Sequence, residues 1–221
     1  MYSIQCFSTA FMGTNTYIVS RYSSVSAQEK DEPDSVFVVD AGGHEFDVDK
    51  YRNILKRCDA FVFTHGHFDH ISALPYLNKF FPDAQIAIHE SDAVYLGKDA
   101  SEVHMEDFKK LGLGTYIRNY FNNDGPLPEP TLLLKDGEKL PFAPEWIVIH
   151  TPGHSPGSIC LYNEEEKTLI SGDTLFANDG FGRTDLRGGN YAQLMESLAL
   201  LENLPSVAKI LPGHGEFSYV E

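Results

Sequence analysis

The sequence has few cysteines and no long hydrophobic run. Its 221 residues include three cysteines, which lie far apart as Cys6, Cys58 and Cys160. An odd, unclustered set of this kind is typical of free or buried thiols in a reducing compartment. No apolar stretch approaches the roughly 18 residues that are needed to span a bilayer. The first residues lack a basic region followed by a long apolar one, as a secretory signal would have. We therefore expect a cytoplasmic chain.

Positive charge is also scarce. Lys and Arg total 17 against 32 Asp and Glu, so the formal net charge is −15 at pH 7. Such a surface repels phosphate backbones and anionic lipids, and we expect neither a nucleic-acid nor a membrane partner. The hydrophobic fraction of 42% is ordinary for a globular protein. At this length one domain is favoured over two, and we predict a single domain over residues 1–221.

Short β-branched and aromatic runs alternate with amphipathic segments along the chain. The runs predict strands at residues 2–8, 16–20, 35–39, 60–64, 85–89, 131–134, 145–150, 158–162, 168–171 and 208–211. Apolar residues at helical spacing predict helices at 47–57, 70–81 and 190–204. The polar stretch 23–33 is interpreted as an exposed hairpin loop. Residues 97–130 mix helical and loop-like sequence and are interpreted as an insert. Its aromatic residues favour packing, with a lid beside the site as the alternative.

Histidine and aspartate are concentrated at residues 64–70, which follow a predicted strand and precede a predicted helix. Three imidazoles and a carboxylate serve neither a turn nor a core well, but they suit zinc, iron or manganese. In extended backbone, residues i and i+2 point the same way, so His65 and His67 can bind one metal together. Asp69 and His70 lie where the chain turns into the helix, and they can face a second metal. The alternative is a polar loop with exposed histidines.

Three more donors follow predicted strands, each among glycine or proline: His154, Asp173 and His214. Each one alone is typical of a turn or a polar surface, but the same context recurs every time. The two halves of the chain show a weakly similar order of motifs, in which Asp40 of the first half corresponds to Asp173 of the second. Metal-bound histidines usually donate their second nitrogen to a carboxylate or a carbonyl. We predict this role for Asp40, with a simple turn aspartate as the alternative.

The order of these donors, His-x-His-x-Asp-His, then His, Asp and His, resembles that of the metallo-β-lactamase superfamily over nearly the whole chain. Within the superfamily the closest likeness is to glyoxalase II-like (hydroxyacylglutathione hydrolase-like) hydrolases. The segments that carry this likeness are 151–160, 172–176, 182–189 and 212–215. The resemblance implies an α/β (α+β) fold, a four-layer αββα sandwich of two mixed sheets with helices outside. It also implies a site along one open edge of the sheets.

The resemblance also implies a ligand set for two divalent metal ions. The ligands implied for metal one are His65, His67 and His154. Those implied for metal two are Asp69, His70 and His214, and Asp173 is implied as the carboxylate that bridges both ions. Zinc is the first expectation for the metal, with iron or manganese as alternatives. Asp69 and Asp173 are the expected catalytic carboxylates.

The implied reaction is hydrolysis of a small thioester by a metal-bridging hydroxide. Three alternatives stay open: a mononuclear-iron persulfide dioxygenase, a lactone or β-lactam hydrolase, and a non-catalytic metal-binding scaffold. Glyoxalase II chains usually carry a helical C-terminal extension that helps to bind glutathione, whereas this sequence ends seven residues after His214. Residues 182–185 also differ from the aromatic pattern of those enzymes. The use of glutathione, the acyl group and the oligomeric state are therefore left open.

Overall fold

A computed structural model describes residues 1–9 and 12–219 of the chain. The strands of this described part are β1 (Tyr2–Thr9), β2 (Thr14–Arg21), β3 (Ser35–Val39), β4 (Ala60–Phe63), β5 (Gln85–His89), β6 (Leu132–Leu134), β7 (Lys139–Leu140), β8 (Ala143–His150), β9 (Ile159–Asn163), β10 (Thr168–Gly172), β11 (Lys209–Pro212) and β12 (Ser218–Tyr219). Its α-helices are α1 (Val25–Glu29), α2 (Glu45–Arg52), α3 (Phe68–Ile71), α4 (Leu74–Phe80), α5 (Ala100–Lys110), α6 (Gly114–Asp124) and α7 (Tyr191–Glu202). None of these helices is both long enough and apolar enough to cross a membrane.

The strands form two mixed sheets. The first sheet has the order β1-β2-β3-β4-β5-β6 and the second the order β12-β11-β10-β9-β8-β7. In the first sheet β1, β2 and β3 pair antiparallel, whereas β3, β4, β5 and β6 pair parallel. In the second sheet β10 and β11 pair parallel, and the other pairs are antiparallel. Because parallel strands run in the same direction, their carboxyl ends lie at one edge of each sheet. Most of the predicted site residues follow such strand ends.

Alternation along the strands explains how the layers stack. Val38 of β3 is buried in a cluster with Leu74 and Leu77 of α4. Its neighbour Phe37 points to the opposite face and is buried in a second cluster, which contains Trp146 of β8. Because successive side chains of a strand face opposite sides, one strand contacts a helix layer and the other sheet at once.

Helix α7 covers the outer face of the second sheet. Its Leu201 is buried with Cys160 of β9 and Leu169 of β10. The next residues along those strands, Leu161 and Ile170, belong to the cluster between the sheets. The layers therefore run helix, sheet, sheet, helix, and the predicted αββα sandwich is confirmed.

Two local predictions are wrong for identifiable reasons. The predicted helix 70–81 is divided into α3 and α4. Pro75 in the first turn of α4 has no N–H to donate to the carbonyl four residues earlier. The intervening backbone pairs with Ala41 instead: the His70 carbonyl accepts from the Ala41 N–H, and the Ala41 carbonyl accepts from the Ala73 N–H. Likewise, the predicted loop 23–33 contains α1, where the side chain of Ser24 caps the helix.

The segment 97–130 contains α5 and α6, which pack on the histidine-rich segment. Phe108, Ile117 and Tyr120 form a buried cluster with Phe68, the residue that follows His67. The hydroxyl of Tyr120 donates to the carbonyl of Ser72, also beside that segment. The insert is thus attached directly to the candidate site. Its role as a lid and the single-domain extent of the chain stay predictions.

Candidate metal centre

All seven predicted ligands follow strands or lie in the short helix after β4, and they meet at one edge of the sandwich. They form three overlapping groups whose ligand atoms lie within 4.8 Å of one another: His65, His67 and His154; His65, His70 and Asp173; Asp69, His70 and His214. The order of the strands places them there, because β4 and β10 are each flanked by a parallel neighbour and their ends reach the same edge.

The first trio consists of three buried imidazoles, those of His65, His67 and His154. The His154 Nε2 atom lies 2.7 Å from His67 Nδ1 and 3.1 Å from His65 Nε2. His65 and His67 contribute different ring nitrogens, and both converge on the same nitrogen of His154. The three ligand atoms therefore converge on one point.

The second trio combines one carboxylate with two imidazoles. The Nε2 atoms of His70 and His214 are 3.2 Å apart. The Asp69 Oδ2 atom lies 3.3 Å from His214 Nε2 and 3.6 Å from His70 Nε2. This trio is nearer to solvent than the first, since Asp69 and His214 are partly exposed.

Asp173 lies between the two trios. Its Oδ1 atom is 3.4 Å from His70 Nε2, and its Oδ2 atom is 3.5 Å from the Nε2 atoms of both His154 and His214. One carboxylate therefore faces ligand atoms of both trios, as a bridging ligand must.

The donor set fits metal ions better than it fits a hydrogen-bond network. His154 donates from Nδ1 to the Arg183 carbonyl, so its neutral ring has one lone pair at Nε2. That lone pair can accept one well-directed hydrogen bond, although nitrogens of both His65 and His67 face it. The buried Oδ1 atom of Asp173 also has no hydrogen-bond partner among the described residues, which is costly for a carboxylate. Ligand atoms around a tetrahedral zinc ion lie about 3.3 Å apart, given bonds of about 2.0–2.1 Å. The separations of 3.2, 3.3 and 3.6 Å in the second trio and of 3.1 Å in the first are close to that value, and the 2.7 Å between His67 and His154 is shorter.

The two trios differ in their electrostatics. Burial and the neighbouring imidazoles lower the pKa of His65 and His67, which keeps both rings neutral. Burial alone would raise the pKa of Asp69 and Asp173, but the facing histidines lower both, that of Asp173 to about 2. In the second trio burial alone would lower the pKa of both histidines, but the facing carboxylates outweigh it and raise the pKa of His70 to about 8 and that of His214 to about 11. Neutral imidazoles and ionised carboxylates are the forms that bind divalent cations, so a metal at this trio would displace the protons of these two rings.

A second layer of contacts orients the ligands. Asp40 Oδ2 lies 2.9 Å from His70 Nδ1, and Asp40 also accepts from the backbone N–H and the hydroxyl of Thr64 at 2.8 Å each. The contact predicted for Asp40 is therefore present. His154 Nδ1 lies 2.7 Å from the carbonyl of Arg183, so its other nitrogen is free to face the centre.

Two glycines leave room for the ligands. A Cβ atom at Gly213 would lie 2.2 Å from Asp173 Oδ1, and one at Gly182 would lie 2.6 Å from His154 Nδ1. Any other residue at these positions would displace a ligand.

One further residue was missed by the sequence-based prediction. Asp92 is fully buried, and its Oδ2 atom accepts from the Gly66 N–H at 2.9 Å and from the Ser155 hydroxyl at 2.6 Å. Its Oδ1 atom accepts from the Gly157 N–H at 2.7 Å. Gly66 lies between His65 and His67, and the other two partners, Ser155 and Gly157, follow His154 within three residues. Asp92 thus holds together the two loops that carry the first trio.

Asp92→Asn is expected to weaken metal binding at the first trio by about 10-fold to 100-fold, the usual effect of losing such a supporting contact. The NH₂ group of an asparagine would face backbone or hydroxyl donors, so part of the contacts that join the two loops would be lost. Competition for zinc with a chromophoric chelator measures the change. Asp59→Asn is the matched control, because Asp59 accepts from the Val36 N–H but lies away from the centre. Equal zinc affinity in wild type and Asp92→Asn would contradict this role.

The centre opens onto a cavity of about 240 Å³. Five of the predicted ligands contribute to its lining: His67, Asp69, His154, Asp173 and His214. A bound molecule in the cavity would therefore contact both trios.

Two ligand trios joined by one carboxylate, at the shared edge of an αββα sandwich, define a metal-binding protein of the metallo-hydrolase type. The family described as "Metallo-beta-lactamase superfamily" matches residues 21–214, and the chain belongs to this superfamily.

Named relatives agree with that membership. The probable metallo-hydrolase YqgX of Bacillus subtilis is 34% identical over 82% of this chain and 81% of its own length. The hydroxyacylglutathione hydrolase GloC of Haemophilus influenzae is 28% identical over 86% of this chain and 84% of its own. The crystal structure of TTHA1623 in a di-iron-bound form is 26% identical, with a TM-score of 0.72 over 97% of this chain and 94% of that one.

Proposed function

We propose that the protein is a dinuclear metal-dependent hydrolase that cleaves a small thioester. The observation that carries the proposal is the position of Asp173 between two complete ligand trios. His65, His67 and His154 would hold the first metal, and Asp69, His70 and His214 the second. GloC supports the choice of a thioester, because its name describes hydrolysis of one. The di-iron-bound relative supports the choice of two metals.

Two bound metals would lower the pKa of a water toward neutrality and polarise the carbonyl group of the substrate. The protein supplies the remaining functions. The Thr14 hydroxyl donates to Asp69 Oδ2 at 3.0 Å and so fixes the carboxylate at the opening of the centre. From there Asp69 accepts the proton of the attacking water. The water oxygen bonds to the acyl carbon, the carbon–sulfur bond breaks, and the electron pair leaves with the thiolate. The thiolate then takes up the proton held by Asp69, so the products are a carboxylic acid and a thiol and the carboxylate of Asp69 is restored.

The proposal extends to the metal, the partners and the location. Zinc is the first candidate, and iron or manganese could replace it at nitrogen and oxygen ligands of this type. The net charge of −15 supports a small-molecule partner and disfavours nucleic acid and anionic membranes. We place the protein in the cytoplasm, where three cysteines can stay reduced.

Oxygen dependence separates this proposal from the dioxygenase alternative. We expect two metals per chain and the same rate of thioester hydrolysis with and without oxygen, because hydrolysis needs water alone. Metal analysis and anaerobic assays with a panel of thioesters, lactones and a β-lactam measure both. One iron per chain, with sulfite formed from a persulfide only when oxygen is supplied, would establish the dioxygenase instead. Two bound metals with no turnover of any compound would favour the non-catalytic scaffold.

A further inference from the structure

The cavity beside the metal centre has a second wall that the proposed chemistry does not use. It is formed by apolar side chains from four parts of the chain, which lie among the ligands as well as in the insert: Phe68, Phe108 and Leu111, Phe176, and Leu186. Phe108 and Leu111 belong to the insert, Phe108 within α5 and Leu111 directly after it. The cavity thus combines ligands suited to a reacting group with side chains suited to an apolar substituent.

Two polar residues of this wall, His104 and Arg183, have hydrogen-bond partners of their own. His104 Nε2 donates to the Tyr95 carbonyl at 2.9 Å. Arg183, the one lysine or arginine among the described lining residues, makes two bonds of 2.7 Å to the carboxylate of Asp185. An anionic substituent in the cavity would therefore have to compete with Asp185 for the guanidinium group of Arg183.

A buried carboxylate makes the wall still less suited to an anion. Asp107 lines the cavity and is 4% exposed. Its Oδ1 atom accepts from the Arg187 N–H at 2.8 Å, but its Oδ2 atom has no hydrogen-bond partner among the described residues. Like charges repel strongly where water is excluded. A negatively charged group in the cavity would be repelled by this carboxylate.

We propose that the cavity binds the acyl half of the substrate, and that this acyl group is apolar and uncharged, of about the size of a pentanoyl chain. The volume of about 240 Å³ is smaller than the roughly 300–1,000 Å³ of pockets that hold drug-sized ligands, so it suits one half of a small substrate. The inference rests on the proposed thioester hydrolysis. It gives the insert a role in selecting the acyl group, in contrast to the hydroxyacyl group that the name of GloC describes.

A matched series of thioesters tests the proposal. We use acetyl, pentanoyl, lactoyl and glutaryl thioesters of N-acetylcysteamine, which share one uncharged thiol half. The kcat/KM for pentanoyl is expected to exceed that for acetyl by about 10-fold to 100-fold, because three further methylenes are buried. It should also exceed that for lactoyl, which carries a hydroxyl, and that for glutaryl, which carries a carboxylate. Equal values for pentanoyl and acetyl, or a preference for lactoyl, would overturn the proposal.

Variants of the wall assign the preference to the cavity. Leu186→Asn should reduce the ratio of pentanoyl to acetyl kcat/KM about tenfold, because a polar side chain replaces part of the apolar surface. Asp107→Asn should raise glutaryl hydrolysis relative to pentanoyl by removing the facing charge. Leu200→Asn, on an exposed position of α7, is the matched control and should keep the wild-type ratios. Metal content is measured for every variant. Unchanged ratios in Leu186→Asn and Asp107→Asn would contradict the assignment.

Binding without turnover separates the cavity from the reaction. Pentanamide carries the same acyl chain but no thiol, and its binding to the metal-loaded protein is measured by ligand-detected NMR. We expect pentanamide to bind more tightly than acetamide, and Leu186→Asn to remove the difference. If this holds while no thioester is hydrolysed, the cavity assignment stands and the proposed function fails. If thioesters are hydrolysed without chain-length preference and pentanamide does not bind, the cavity assignment fails and the proposed function stands.

Discussion

Asp173→Ala is expected to abolish hydrolysis and to leave the chain unable to retain two metals. Asp173 faces both trios, so its loss removes a ligand from each metal and the anion that offsets their mutual repulsion. Losing even a supporting contact of a metal ligand costs about 10-fold to 100-fold in affinity or activity, and losing a shared ligand should cost more. Metal content by mass spectrometry and kcat/KM for a thioester measure the two effects.

His214→Ala and Asp185→Ala complete the experiment. His214 belongs to the second trio alone, so its removal should leave about one metal bound. Asp185 is an exposed aspartate that pairs with Arg183, and its loss should change neither metal content nor the acetyl rate. Two tightly bound metals and normal turnover in Asp173→Ala would show that this residue does not bridge the site.

Removal of metal should lower the melting temperature by about 8–16 °C, and metal added back should restore it. Ligands that bind the folded state alone stabilise it, by about 4 kcal/mol at a thousand times their dissociation constant. For a protein of this length each kcal/mol corresponds to about 2–4 °C. The apo state also carries a local cost, because the buried Oδ1 atom of Asp173 has no hydrogen-bond partner among the described residues.

Scanning calorimetry before and after chelation measures the shift, with metal loss verified in the same sample. Asp173→Ala provides the control, since a chain with weakened metal binding should respond less to chelator than wild type does. A melting curve that is unchanged after verified metal loss would mean that the loops of the centre are held in place by protein contacts alone.

Much of the fold could be predicted from local sequence, because buried strands are apolar along their whole length. The strands at 35–39 and 85–89 were predicted with the bounds that β3 and β5 have. Every residue of β3 is buried, since its two faces contact different layers. The helix predicted at 190–204 is present as α7. The break between α3 and α4 was only partly visible in the sequence: Pro75 is a local signal for it, whereas the backbone pairing with Ala41 involves a residue far away in the sequence.

The candidate site could be predicted only in part, because some of its contacts join residues that are far apart in the sequence. Imidazoles and carboxylates at strand ends are unusual in themselves, so His65 or Asp173 can be recognised without knowing its neighbours. Asp92 has no such local signature. Its partners Gly66, Ser155 and Gly157 are 26, 63 and 65 residues away, and its role exists only once the two sheets meet. The apolar wall of the cavity is likewise visible only after α5 is placed.

The metal ligands and part of the apolar wall lie in different segments of the chain, and this affects how substrate preference can change among related proteins. All seven candidate ligands lie outside residues 97–130, on segments that follow strands of the two sheets. Phe108 and Leu111 of the apolar wall lie within that insert. Mutations in one contiguous stretch can therefore reshape what enters the cavity without altering any donor atom. Phe68 limits this freedom, because it follows His67 directly and packs against Phe108. An exchanged insert would have to present an apolar surface to that ring to keep the metal-binding segment in place.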